Sequence, residues 1–164
     1  MVTQSGSLNW VRREASLFLT AIVLLVPFIS TARASNLDEA PMDAAALLQL
    51  EQRAEAAQPR DQCYMFAEVL HGLTELAGRQ IAAGDDLEAG TTFTRIDSVA
   101  QKMEKASGSN AKRLKNAEML LEHITRRLTD MAHVASSDQR TATQAALQQV
   151  NHLHTQVLAV ILSK

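Results

Sequence analysis

The apolar residues between positions 59 and 107 recur at helical spacing in two consecutive stretches. At 100° per residue, the apolar positions of each stretch fall within one broad sector, which predicts two helices that each face a core. Between them, Gly84 offers the left-handed conformation that ends a helix, and Asp85 or Asp86 is placed to cap the next one. The two apolar faces consist of Cys63, Phe66, Leu70, Leu73, Ala77 and Ile81 in the first stretch, and of Ala89, Phe93, Ile96, Ala100 and Met103 in the second.

The strongest pattern of the chain lies between residues 114 and 135, where apolar residues alternate in steps of three and four. This spacing keeps one seam of a helix against a partner helix. Ser136 and Gln139 then match a capping box, which predicts a last helix that runs to Ser163. Because short connections between long helices make antiparallel neighbours, the sequence predicts an all-α fold. We expect either an up-down antiparallel bundle of about four core helices or a set of stacked helical hairpins.

An alanine-rich segment precedes this predicted bundle. Residues 37–58 have a thin apolar stripe, because alanine favours the helix but buries little surface. The pair Gln58-Pro59 marks a break, since proline restricts the residue before it and fits the first turn of a new helix. The sequence therefore predicts a weakly docked helix or linker over residues 35–58 and a helical bundle domain over residues 59–164.

The first 34 residues have the order of features of a secretory signal peptide. Two arginines precede an apolar run from Leu17 to Ile29, and the small residues Ala32 and Ala34 fit a signal-peptidase site. The apolar run is shorter than the roughly 20 residues that a membrane-spanning helix needs. We therefore expect cleavage after residue 34, export to the periplasm or the extracellular space, and no stable membrane span in the mature chain.

The composition of the mature chain disfavours two classes of partner. Removal of the signal takes away three basic residues and one acidic residue, which leaves 13 basic and 17 acidic residues and a net charge of −4. Nucleic acid is therefore a poor partner, because its binding needs clustered positive charge. Only Tyr64, Phe66 and Phe93 remain as aromatic residues. Small-molecule ligands and cofactors that bind by stacking on aromatic side chains are disfavoured for this reason.

Glu68 and His71 have the Glu-x-x-His spacing that places two metal ligands on one helical face, as in di-iron helical bundles. However, both residues and Glu75 project opposite to the apolar face of their predicted helix, which predicts a solvated position. The leading interpretation therefore includes no metal and no cofactor. The alternative is a metal-binding or metal-sensing bundle that uses Glu68, His71 and Glu75, with His123 from a neighbouring helix.

Five basic residues flank a polar, glycine-containing connection at residues 107–110. Together with the backbone amides at the start of the next helix, they are the best candidates for contact with an anion or an acidic partner, although Glu104 dilutes their charge. The alternative is a solvated helix end. These residues are Lys102, Lys105, Lys112, Arg113 and Lys115.

Cys63 is the only cysteine, so no internal disulfide can form. It lies at the edge of an apolar face near a predicted helix start, and three interpretations stay open: an inert buried side chain, an intermolecular disulfide, or a reactive thiol. The sequence places no histidine base beside it. We therefore identify no catalytic constellation and expect no enzymatic activity.

The spacing of Leu73, Leu76, Gly84-Asp85, Ala89 and Phe93 resembles one tetratricopeptide repeat, a helical hairpin in which small residues let two helices approach closely. The resemblance covers one hairpin only, and no second copy follows at the expected period of about 34 residues. It implies protein binding. With no catalytic motif, the sequence favours an exported, non-enzymatic protein that acts in protein-protein interaction or structural assembly in the cell envelope, through a protein partner or self-association.

Overall fold

The computed structural model describes residues 41–108 and 110–163. These residues form five α-helices and no strands. The helices are α1 (Ala44–Ala56), α2 (Pro59–Ala83), α3 (Asp86–Ala106), α4 (Leu114–Val134) and α5 (Ser137–Leu162). The all-α prediction is confirmed. None of these five helices combines the length and the apolar character that crossing a bilayer requires. The predicted signal peptide, residues 1–34, lies outside the described residues.

Helix α2 ends at Gly84 and α5 begins after Ser136, as the sequence predicts. The capping hydrogen bonds differ in part from those predicted. Gly84 has a φ of 79° and its N–H donates to the Ile81 carbonyl, while the Asp85 N–H donates to the Gln80 carbonyl. These two bonds form a Schellman motif. Asp85 occupies the N-cap of α3, one of the two positions predicted, but its side chain makes no capping hydrogen bond. The Asp86 carboxylate instead accepts a hydrogen bond from the side chain of Gln139.

The start of α5 shows half of the predicted capping box. The Ser136 hydroxyl accepts a hydrogen bond from the Gln139 backbone N–H at 3.4 Å, as the pattern predicts. The Gln139 side chain does not return to Ser136, since it reaches Asp86 at the start of α3. One side chain therefore links the starts of two helices instead of closing its own helix.

The helices form two antiparallel hairpins, α2–α3 and α4–α5, that lie side by side. Helix α2 packs on α3 and α4, and α5 also packs on α3 and α4. The contact of Gln139 with Asp86 joins the starts of α5 and α3, and Gln156 donates to Glu104 near their ends. Helices α3 and α5 are therefore parallel, as are α2 and α4. Of the two arrangements that the sequence left open, the stacked hairpins describe this bundle.

Helix α2 is the centre of the bundle because it packs against three other helices, α1, α3 and α4. Two glycines within α2 are buried and let neighbouring helices approach. A Cβ atom on Gly72 would overlap the Leu47 side chain of α1, and one on Gly78 would lie 2.9 Å from Nη2 of Arg127 in α4. Helix α2 therefore has little surface left for water.

Helix α1 is held by both apolar and ionic contacts. Leu47 and Ala54 are fully buried against α2. Glu51 pairs with Arg95 at 3.0 Å and with Lys102 at 2.7 Å, and both cations belong to α3. The prediction of weak docking considered only the thin apolar stripe. It missed Glu51, which ties α1 to the outer face of α3.

Candidate metal centre

Helices α2 and α4 bring together two histidines and one glutamate. His71 and Glu75 lie one turn apart on α2, and His123 lies opposite them on α4. One potential ligand atom from each of these residues lies within 4.8 Å of the other two. The imidazole rings of His71 and His123 have centroids 5.0 Å apart and are tilted by 58°. We call His71, Glu75 and His123 the α2–α4 cluster.

The prediction that Glu68, His71 and Glu75 face water holds only in part, because all three are partly buried. His71 is partly buried, and the Glu75 side chain is 32% exposed. The prediction assumed that α2 has one buried face and one solvated face. Because α2 packs on α1 and α3 and also on α4, the face that carries His71 and Glu75 lies against α4. The His123 side chain is 57% exposed and lies at the surface.

Glu68 does not join the α2–α4 cluster. It lies one turn before His71, beside Tyr64, where burial and the Glu68 carboxylate raise the pKa of the tyrosine hydroxyl. The ligand pair on α2 is therefore His71 and Glu75, four residues apart, and not the Glu-x-x-His pair that the sequence pattern singled out. Both spacings place two side chains on one helical face, so the sequence could not distinguish them.

Arg127 lies beside the α2–α4 cluster, a position that the sequence analysis did not predict. Its Nε lies 3.4 Å from Oε1 of Glu75, and Nε2 of His123 lies 3.7 Å from the same oxygen. Arg127 follows His123 by four residues, so both side chains leave α4 toward α2. This i, i+4 pair was the only available signal, and it becomes meaningful only once α2 and α4 are known to be parallel neighbours.

The surroundings of His71 favour its neutral form. Burial lowers the pKa of His71 below its ordinary value, and the nearby His123 lowers it further, while Glu75 acts in the opposite direction. Only the neutral imidazole has a lone pair for a metal ion. His71 is therefore held in the protonation state that a metal ligand needs.

The α2–α4 cluster fits the ligand chemistry of a first-row divalent metal ion. Zn²⁺ binds imidazole nitrogen and carboxylate oxygen at about 2.0–2.2 Å, which places the ligand atoms of a tetrahedral site about 3.4 Å apart. The separation of 4.8 Å or less in the α2–α4 cluster approaches this value, and side-chain rotation can close the difference. Three protein ligands would leave one coordination position for water or another ligand.

Without metal, the stability of the protein should fall when the pH is lowered from about 7.5 to about 5.5. Because the pKa of His71 is lower in the folded chain than in the unfolded chain, the unfolded chain binds more protons in this range, and acidification favours unfolding. Urea unfolding midpoints across this range would measure the effect. The urea midpoint of a His71→Gln variant should fall less steeply with decreasing pH than that of the wild type. Equal pH dependence of the two midpoints would contradict the lowered pKa of His71.

The five basic residues near the α3–α4 connection do not form one positive surface. Lys102 pairs with Glu51 at 2.7 Å and with Glu55 at 2.5 Å, so its charge is neutralised by α1. The Arg113 guanidinium lies 3.4 Å from the centroid of the Tyr64 ring. Of the five, Lys105, Lys112 and Lys115 are exposed without such a partner among the described residues. The anion contact therefore stays a prediction, and the ion pairs of Lys102 with α1 weaken it for that residue.

Cys63 lies in the core and is fully buried. Desolvation raises the pKa of its thiol to about 11, which disfavours the reactive thiolate. Of the three interpretations that the sequence left open, the structure favours the inert buried side chain. His154 of α5 contacts α4, with Nε2 lying 3.0 Å from Oε1 of Glu118.

Comparison with known proteins gives this chain no relative from which a role could be transferred. Searches with the sequence and with the structure found no matching protein family, no matching curated protein and no matching solved structure.

Proposed function

We propose that this chain is an exported helical bundle that binds a divalent transition-metal ion through His71, Glu75 and His123. The observation that carries the proposal is the placement of their ligand atoms within 4.8 Å of one another, on two helices that belong to different hairpins. Zn²⁺ is the most suitable ion to test, because imidazole and carboxylate ligands suit it and it accepts irregular surroundings.

The bonding state of the α2–α4 cluster supports metal binding over a purely structural role. Clustered histidines and glutamates in a helix interface usually hydrogen-bond to one another. Here Nε2 of His123 and Oε1 of Glu75 are 3.7 Å apart, which is too long for a hydrogen bond. None of the three side chains hydrogen-bonds to another residue in the described part of the chain. The lone pairs of the two histidines are therefore available to an ion, which would compete with Arg127 for the Glu75 carboxylate.

Titration of the metal-free mature protein with Zn²⁺, in a form without a histidine tag, would test the proposal. We expect one ion per chain by calorimetry, and thermal unfolding should move to higher temperature. Free Zn²⁺ at 100 times the dissociation constant would stabilise the folded state by about 2.7 kcal/mol. A His123→Ala variant should lose affinity by about tenfold or more, because it removes the only ligand that α4 supplies.

His133→Ala is the matched control for this experiment. His133 lies near the end of the same helix, is exposed, and is not part of the α2–α4 cluster. It should bind Zn²⁺ with the affinity of the wild type. If His123→Ala and His133→Ala bound Zn²⁺ equally well, the ion would have to lie elsewhere and the proposal would be wrong.

Protein binding or self-association is a second proposal, favoured by large apolar side chains on the surface of the bundle. Leu87 is 83% exposed and Val134 is 76% exposed. They lie at the start of α3 and the end of α4, which is the end of the bundle where both hairpins turn. Met119 and Leu162, which lie toward the opposite end, are also exposed, so each end of the bundle presents apolar side chains that a partner could cover. A metal ion between α2 and α4 is compatible with this role.

A further inference from the structure

Arg127 places a positive charge directly beside the proposed metal centre. Its Nε lies 3.4 Å from Glu75, and its side chain is 39% exposed. We propose that the metal ion held by His71, Glu75 and His123 binds a small organic carboxylate at its open coordination position, and that the Arg127 guanidinium holds this carboxylate. This inference rests on the proposed metal site.

The balance of charge provides the first reason. Without metal, Arg127 compensates the carboxylate of Glu75. A divalent ion adds two positive charges and engages the same carboxylate, so Arg127 is then left beside a cation without an anion of its own. The repulsion between two such charges a few ångströms apart is large where the site is partly desolvated. An anion that contacts both the metal and the guanidinium removes this repulsion.

The donors of Arg127 provide the second reason. A guanidinium carries five N–H donors, and Nε is the atom that approaches Glu75. No other ion pair and no hydrogen bond of Arg127 is found among the described residues. The remaining donors form a fork that matches the two oxygens of a carboxylate. A carboxylate therefore fits better than a halide, because it can offer one oxygen to the metal and keep a contact with the fork.

Gly78 provides the third reason, because it makes room for the guanidinium. A Cβ atom at this position would lie 2.9 Å from Nη2 of Arg127 and 3.5 Å from Cζ. A larger residue at position 78 would push the Arg127 side chain away from Glu75. The opening of the site also suits a small ligand, since the His123 side chain is 57% exposed and leaves access from solvent.

Calorimetric titration with Zn²⁺ in sodium acetate and in sodium chloride of equal ionic strength would test the inference, with acetate as the probe. In the wild type, acetate should raise the Zn²⁺ affinity by about fivefold or more, and Zn²⁺ should raise the acetate affinity by the same factor. Arg127→Gln should lose this gain. In chloride, the same variant should bind Zn²⁺ about two- to fivefold more tightly, because a partly exposed competing ion pair is removed.

Two further variants separate charge from geometry. Arg127→Lys keeps the charge but lacks the fork, so it should bind Zn²⁺ in chloride like the wild type and lose most of the acetate gain. Arg126→Gln is the matched control. Arg126 is 73% exposed and pairs with Glu122, so the variant should respond to acetate as the wild type does.

The outcomes distinguish this inference from the proposed function. If the wild type binds Zn²⁺ with the same affinity in both salts, the carboxylate ligand is refuted and the metal site stands. If Zn²⁺ does not bind in either salt, the proposed function itself is refuted. If light scattering shows a Zn²⁺-dependent dimer that forms equally in both salts, a second copy of the chain supplies the open position, and the small carboxylate is again refuted.

Discussion

Replacement of Gly72 with valine is expected to lower the free energy of unfolding by about 1–3 kcal/mol, the usual cost of adding bulk to a filled core. Gly72 is buried in the middle of α2, where α1 crosses it. A Cβ atom there would overlap Leu47 and would approach the side chain of Met42 to 3.1 Å. Because Leu47 is fully buried, it has no free space into which its side chain can turn.

The effect should appear first as a loss of α1 from the bundle. The apolar contact of α1 depends on few side chains, with Leu47 and Ala54 its two fully buried residues. If Leu47 is pushed outward, Glu51 must also move away from Arg95 and Lys102. Burial raises the pKa of Glu51, but the hydrogen bonds from these two cations lower it below its ordinary value, so their loss would cost stability. We therefore expect α1 to become sensitive to proteolysis before the rest of the chain.

Gly90→Val is the matched control, because Gly90 also lies inside a helix but has open space where a Cβ would be. Valine has a somewhat higher helix propensity than glycine, so this variant should be within about 0.5 kcal/mol of the wild type. Urea unfolding of both variants, followed by circular dichroism, would compare them. Equal stability of the two variants would show that α1 does not pack on Gly72 as described.

The helices were predictable from the sequence because their ends carry strong local signals. Gly84 requires a positive φ and is found with one, and Pro59 begins α2 at the first helical position. The alternation of three- and four-residue steps in α4 gave the buried seam correctly: Leu114, Ala117, Leu121, Ile124, Leu128 and Met131 are all buried. These features act within one helix, so no knowledge of its neighbours is needed.

The candidate site was only partly predictable because it depends on which helices are neighbours. His71, Glu75 and His123 were all identified as candidates for a metal site, but His71 and Glu75 were placed in solvent. Periodicity identifies the most apolar face of a helix, and it fails for a helix such as α2 that packs on three partners. The parallel alignment of α2 and α4, which brings Arg127 to Glu75, follows from how the two hairpins stack. No local pattern encodes this register.

The basic residues near the α3–α4 connection also have contacts that no local sequence pattern predicts. Lys102 and Arg113 lie close in sequence to a flexible-looking polar connection, which suggested a shared positive surface. In the fold, Glu51 and Glu55 of α1 neutralise Lys102, while Arg113 stays exposed and its guanidinium stacks over the ring of Tyr64 in α2. Both partners are distant in sequence. A charge run can therefore be counted from the sequence, but its exposure is decided by long-range packing.

Cys63 is expected to react with a thiol reagent at least about 100-fold more slowly in the folded protein than an exposed cysteine does. At pH 8, a thiol with a pKa of about 11 has about 100-fold less thiolate than one with the ordinary value of 9.0. Burial slows the reaction further, because Cys63 has no exposed surface and the reagent reaches it only when the core opens. The rate in a denaturant should return to that of a free cysteine.

A variant that moves the cysteine to the surface provides the control for this measurement. Met119 lies on α4 and is 67% exposed, so a Cys63→Ala/Met119→Cys protein should label rapidly while folded. Slow labelling of folded Cys63 would exclude an enzyme that uses this thiol, since such chemistry requires an accessible sulfur. Full labelling in denaturant without a reductant would exclude an intermolecular disulfide, because a disulfide-bonded sulfur does not react with a thiol reagent. Rapid labelling of the folded wild type would instead mean that α2 opens at its first turns, and the tight packing of this central helix would have to be abandoned.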